Sequence, residues 1–223
     1  DEVFNKVYAP PSSDGSGNVR SNLRIALRLL KKSGYRIENN KLISPKTGAP
    51  VTFEVLLVSP AFERIVAPFA RNLKRLGIEA GIRTVDQSQY INRIRSFDYD
   101  VIVGGAGQSD SPGNEQRDYW SSAAADREGS RNSIGVKNPA VDALIEKIVD
   151  AKDRKSLVHA TRALDRVLSW NHYVIPQWHV RIDRIAYWDK FGIPKHPKYG
   201  VDTMSWWIDP AKEAALSQNG KKP

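Results

Sequence analysis

The residues best suited to ligand chemistry stand together in one short run, Gly104-Gly105-Ala106-Gly107-Gln108-Ser109-Asp110. The run follows the apolar stretch Val101–Val103, which reads as a strand. In open α/β sheets ligands bind beyond the carboxyl ends of strands, and glycines let the backbone approach a ligand with its amides and carbonyls bare. Gln108, Ser109 and Asp110 add an amide, a hydroxyl and a carboxylate. The run fails as a dinucleotide fingerprint, because GxGxxG would need glycine where Asp110 stands and a helix directly after it. It also lacks the GK[ST] of a phosphate loop. The residues alone leave a structural turn and a ligand loop both open.

Catalytic patterns are missing elsewhere. His159, His172, His179 and His196 form no HExxH and no paired metal spacing. There is no Gly-x-Ser-x-Gly elbow, and Asp98 and Asp100 read as bounding a strand start. The absence of cysteine removes disulfides, thiolate metal sites and cysteine nucleophiles. The expectation is therefore a binder with no catalysis, metal or cofactor. The net charge of +9, from 34 Lys and Arg against 25 Asp and Glu, is spread from Arg20 to Lys222 among carboxylates. Dispersed charge of that kind reads as a solvated face and not as a nucleic-acid footprint. A basic nucleic-acid-binding domain remains the most distant alternative; it would show steep salt dependence on any oligonucleotide.

The elements around the run predict an α/β class with a mainly parallel sheet flanked by helices. Leu23, Ala26, Leu27 and Leu30 recur at helical spacing, so a helix is expected over 22–32 with Ser21 as its cap and a buried stripe. Val51–Val58 reads as a strand that becomes apolar on both faces. Ser59-Pro60 then caps a helix carrying Phe62, Ile65, Val66, Phe69, Leu73 and Leu76, ended by Gly77. Strand Ile78–Val85, a short helix near 89–95 and strand Asp100–Val103 follow, an order that favours parallel pairing by crossover. Residues 109–137 read as extended loop with a short helix. Asn138-Pro139 caps a helix bearing Val141, Leu144, Ile145 and Ile148. A further helix over 154–170 turns Leu157, Thr161, Leu164 and Leu168 inward. No run of about eighteen apolar residues suggests a membrane helix, and no apolar leader opens the chain at Asp1.

Several segments, in fixed order, resemble a known family. They are SNLRIALRLLKKSGYRIENNKLISPKTGAPVTFEVLL, FARNLKRLGIEAGIRTVDQSQYINRIRS, FDYDVIVGGAGQSDSPGNE, RNSIGVKNPAVDALIEKIVDAKD and VIPQWHVRIDRIAYW. Together they resemble the second lobe of the peptide-binding proteins that serve bacterial ABC importers, the extracellular solute-binding protein family 5. EVFNKVYAPPSSDGSGN and YWDKFGIP with WWID resemble its microcin C and oligopeptide branch. The resemblance implies a periplasmic binding protein-like lobe at 21–180, a linker or crossing segment at 1–20, and a return segment at 181–223 to a first lobe absent from this chain, with a disordered tip. It implies an exported, periplasmic parent whose partners are an oligopeptide ligand and the permease subunits of an ABC importer. The same family includes binders of nickel chelates and sugars, which is the nearest alternative.

The resemblance also implies ligand contacts from Gly105 through Asp110, including Ala106. In the family this turn carries a Trp where Ala106 stands, and an acidic residue that pairs with a peptide's amine where Gln108 stands. A neutral amide offers a donor and an acceptor without charge. The substitution predicts tolerance of peptides whose amino terminus is blocked, unless Asp110 takes over the pairing. Ser59 and Phe62, and Arg131 and Asn132, fall near places where the family's lobe faces its cleft, although Ser59 reads equally as a helix cap and Phe62 as core. Trp178 and His179 stand where the chain crosses between lobes; the Trp could stack on a ligand or pack a hinge. Without the first lobe, the tail residues Tyr187, Trp188, Trp206 and Trp207 are expected to be exposed or to drive self-association.

Overall fold

A computed structural model of the chain describes residues 5–12, 14–105, 107–177, 182–195 and 200–218. They fall into two units, Asp1–Ile175 and Pro176–Pro223.

The first unit begins with α1 (Arg20–Lys32). It starts before the expected cap: Val19 occupies that position without a side-chain bond, and the Arg20 N–H is taken by Asn18 Oδ1 at 3.2 Å. Its expected stripe is only half-buried, and Ile25 and Leu29 are exposed. A hairpin of β1 (Arg36–Glu38) and β2 (Lys41–Ile43) follows. The turn residues Asn39 and Asn40 both have positive φ, 50° and 62°, the geometry that a two-residue hairpin turn demands and that asparagine tolerates.

Strands β3 (Thr52–Leu57), β4 (Glu79–Thr84) and β5 (Val101–Ile102) form a wholly parallel sheet in the order β4-β3-β5. Because β3 is central, Val55, Leu56 and Leu57 are all buried, so both sheet faces are covered there. Each such side chain contributes about 1.5–3 kcal/mol of burial. β4 is an edge and alternates exposed with half-buried residues. After Ser59 the chain makes a 3-10 turn, Pro60–Phe62, before α2 (Glu63–Lys74) begins. Val66 of α2 packs on Val55 and Leu57. Gly77 then ends the helix at φ +81°, and a Cβ there would lie 2.7 Å from the Leu42 nitrogen. That nitrogen donates to the Gly77 carbonyl at 2.8 Å, so the hairpin can dock only on a glycine. Asp86 caps α3 (Gln87–Arg95) through Ser88 and Gln89.

The 109–137 region holds two short helices, α4 (Glu115–Trp120) and α5 (Ser122–Ala125). They lead to the hairpin of α6 (Pro139–Val149) and α7 (Arg154–Trp170). Asn138 and Asp153 cap these helices as side-chain acceptors, the latter in a capping box with Ser156. The core here joins Val136, Val141, Ile145, Ile148, Ala160, Leu164 and Val167. The inward face of α7 therefore centres on Ala160, Leu164 and Val167. Thr161, expected inward, sits at the margin with a hydroxyl that has no hydrogen-bond partner among the described residues.

The second unit is small. β6 (Phe191–Gly192) pairs antiparallel with β7 (Trp207–Ile208), and α8 (Pro210–Gln218) follows, with Asp209 accepting from the Ala211 N–H. Trp206 is half-buried against Tyr187 and Phe191, at centroid distances of 4.9 and 5.8 Å. Tyr187, Trp188 and Trp207 are exposed. Among the described residues no helix is long and apolar enough to cross a membrane.

Candidate functional site

Parallel pairing brings the carboxyl ends of three strands to one edge of the sheet. The segments leaving that edge are Ser59–Phe62 after β3, Asp86 after β4, and Gly104–Asp110 after β5. Two of the three are explained by local structure. Ser59 Oγ accepts from the Ala61 N–H at 3.3 Å, and Phe62 is half-buried against Val55, Leu57 and Val66. Asp86 Oδ1 accepts from the Ser88 and Gln89 amides at 2.9 Å each.

The glycine turn differs. Gly104, Gly105 and Gly107 are exposed, none lies in the left-handed region, and a Cβ at any of them would meet nothing within 4 Å. The fold thus gives no reason for glycine at any of the three. The turn is nevertheless anchored at both ends. Tyr90 OH donates to the Val103 carbonyl at 3.5 Å, and Arg154 Nη1 donates to the Asp110 carbonyl at 2.5 Å. Burial raises the Tyr90 phenol, which keeps it a donor. Ser109 Oγ accepts from the Ser111 N–H at 3.3 Å. Gln108 Oε1 accepts from Gln116 Nε2 at 2.7 Å. Ala106, Trp178 and His179 lie outside the described residues.

Asn132 is not at this edge. It is fully buried, with Nδ2 donating to the Ser121 and Val136 carbonyls and Oδ1 accepting from the Val136 N–H, at 2.9–3.0 Å. Its amide closes a loop over the α6–α7 core and offers no surface to a ligand. Arg131 is exposed, 3.7 Å from Asp118 and over the Tyr119 ring. A second concavity, bounded by α4, α5 and α6, contains Arg117, Asp118, Asp142 and Glu146. Its charges are spent internally: Arg117 on Glu146, Arg127 on Asp118, and Ser122 on Asp142. Among the described residues no group of three or more His, Asp or Glu is gathered to hold a metal ion.

Two residues important to the turn escape sequence reading. Gln116, 3% exposed, and its neighbour Glu115 lie beneath it. Both fall in a polar stretch without periodicity, so no pattern marks them.

Comparison with known proteins gives the scaffold its place. The family description "Bacterial extracellular solute-binding proteins, family 5 Middle" matches residues 2–128. The chain belongs to this family. It is 53% identical over 208 residues to the uncharacterized protein y4wM of Sinorhizobium fredii, a match spanning 92% of this chain and 31% of that protein. It is 48% identical over 208 residues to the probable peptide-binding protein YejA of Agrobacterium fabrum, spanning 92% and 34%. The chain therefore spans about a third of the length of these relatives. Among solved structures it resembles the oligopeptide-binding protein AppA of Bacillus subtilis in complex with a nonapeptide. The TM-score there is 0.61 at 20% identity, over 77% of this chain and 33% of AppA. It also resembles a mannohexaose-bound periplasmic oligopeptide-binding protein of Thermotoga maritima, with TM-score 0.59 at 18% identity over 69% and 30%. The fold of this family 5 chain is that of a periplasmic binding protein lobe.

Proposed function

We propose that the chain is the C-terminal lobe of a periplasmic binding protein that traps oligopeptides against a first lobe and delivers them to the permease subunits of an ABC importer. The observation that carries this reading is the anchored, exposed glycine turn at the carboxyl edge of the parallel sheet, whose glycines the fold does not require. The exposed backbone of Gly104, Gly105 and Gly107 suits a ligand with its own backbone of donors and acceptors. Such a ligand is met by a scaffold that reads main chain and tolerates varied side chains. Ser59 and Phe62 share the edge and would flank the ligand. Closure of two lobes is the motion that commits it, so this lobe alone would hold peptide weakly. The relative described as peptide-binding and the nonapeptide-bound neighbour support this choice of ligand.

A sugar or a chelate is the second reading, favoured by the mannohexaose-bound neighbour of the same fold. The test is thermal unfolding of the full polypeptide carrying this segment, stripped of carried ligand by unfolding and refolding. A mixed peptide pool at about 100 Kd should add about 2.7 kcal/mol, a rise of several degrees. No rise with peptides, together with a rise on an oligosaccharide or metal-chelate panel, would transfer the assignment to that ligand.

A further inference from the structure

Beneath the glycine turn, hydrogen bonds fix which end of an amide faces outward. Glu115 Oε1 accepts from the Gly113 N–H at 2.9 Å and from Gln116 Nε2 at 3.1 Å. Partial burial pushes the Glu115 carboxyl up, but the hydrogen bonds from Gly113, its own N–H and Gln116 outweigh this and hold it below the usual carboxylate range. An ionised carboxylate can only accept. The group that Gln116 turns toward it must therefore be the amide nitrogen, a case in which the network decides the flip. The same nitrogen donates to Gln108 Oε1 at 2.7 Å, from a side chain that is 3% exposed and cannot swing freely. Gln108 thus has its carbonyl turned inward and occupied. Among the described residues its own –NH2 has no protein partner, and it belongs to an exposed residue of the turn.

We propose that Glu115 and Gln116 are positioning residues that make Gln108 a hydrogen-bond donor to the ligand, so that the ligand group met there is a carbonyl or carboxylate oxygen and not an ammonium. This rests on the reading of the turn as ligand-facing. The physical ground is polarity: an ammonium against –NH2 sets two donors face to face and leaves both unsatisfied, whereas an oxygen satisfies the amide. Asp110 is the competing reader, since it is exposed and among the described residues its carboxylate is in no ion pair, while its main-chain carbonyl is held by Arg154.

The probes are pentaalanine and N-acetyl-pentaalanine, which differ by an acceptor carbonyl in place of an ammonium, titrated calorimetrically into the refolded full polypeptide. The wild type should bind the acetylated peptide about tenfold more tightly or better. Gln108→Glu should reverse the preference. Glu115→Gln, which keeps the shape but lets Gln116 turn over, should bring the two affinities within about threefold. Wild-type preference for the free amine overturns the proposal, and its loss in Asp110→Asn would name Asp110 as the reader. An unchanged preference in Glu115→Gln also overturns it. A readout independent of ligand is the side-chain amide exchange of the 15N-labelled chain. The Gln116 –NH2 should exchange more slowly than that of Gln108, and the opposite order contradicts the relay. If neither peptide binds any variant, the peptide reading itself fails and this one falls with it. Binding with the wrong preference sinks the polarity alone.

Discussion

Asn132 and Gln108 are both neutral amides in loops that follow the sheet, and both are ligand candidates in the sequence. The fold uses them in opposite ways. Asn132 has no exposure and spends both ends of its amide on the backbone of its own loop. Gln108 is exposed, spends only its carbonyl, and leaves a donor outward. The same contrast separates two glycines. Gly77 is required by its φ and by the Leu42 nitrogen 2.7 Å from where its Cβ would be, whereas Gly107 is required by nothing nearby. Residues that the fold explains are committed to it. Gly104, Gly105 and Gly107 are left unexplained together at one sheet edge, and that is where a ligand would supply the missing reason.

The comparison breaks most readily at Asn132. Asn132→Leu removes the side-chain partners of the buried Val136 N–H and carbonyl, and one of the two donors on the Ser121 carbonyl, and should cost ~3 kcal/mol in urea unfolding. A loss below about 1 kcal/mol would mean that the loop is not held as described. The glycine pair should then split. Gly77→Ala is expected to cost ~2 kcal/mol through strain and backbone crowding. Gly107→Ala should change stability by less than ~1 kcal/mol, in the stabilising direction if at all, while weakening the ligand response about tenfold. If the two alanine variants proved equally stable, the distinction between required and unrequired glycine would dissolve. Ser59→Ala sharpens the edge itself: loss of the cap costs ~1 kcal/mol, and only a role in binding would reduce ligand response beyond that stability loss.

The smallest effect is acid sensitivity. Asp153 is held below the usual carboxylate range by the Ser156 amide and hydroxyl, and Glu146 by Arg117. Glu115 joins them, its hydrogen bonds outweighing burial. A carboxyl with a depressed folded pKa stabilises the fold above its unfolded value and loses that contribution as pH falls through the folded one. The urea midpoint should therefore be flat from about pH 7 down to about pH 5 and decline below about pH 4.5. A decline already at pH 6 would point to histidine instead.

Much of the scaffold is legible in the sequence because its signals are local and redundant. Asn138-Pro139 and the Leu and Ile spacing of α6 announce a helix by cap and stripe together, and β3 is marked by apolar residues on both faces. The α1 stripe fails as a burial signal because periodicity reports a face but not whether anything covers it. The hairpin at 36–43 is missed in the sequence, because its strands are short and no hydrophobic pattern reveals the positive φ of Asn39 and Asn40. The turn at 104–110 is visible as a glycine run after a strand. Its polarity is not, since it depends on Glu115 and Gln116, which are near in space because a short turn at Gly113 folds back. Asn132 shows the converse: an asparagine in a loop gives no sign in sequence of whether its amide faces solvent or its own backbone.

Hydrogen–deuterium exchange on the refolded full polypeptide, with and without a peptide pool, tests the ligand-facing edge most directly. Added protection in the segment 104–110, with a weaker effect at 59–62, is the expected result. Protection absent from 104–110 and found along the groove from Asn114 to Glu146 would contradict the assignment of the glycine turn.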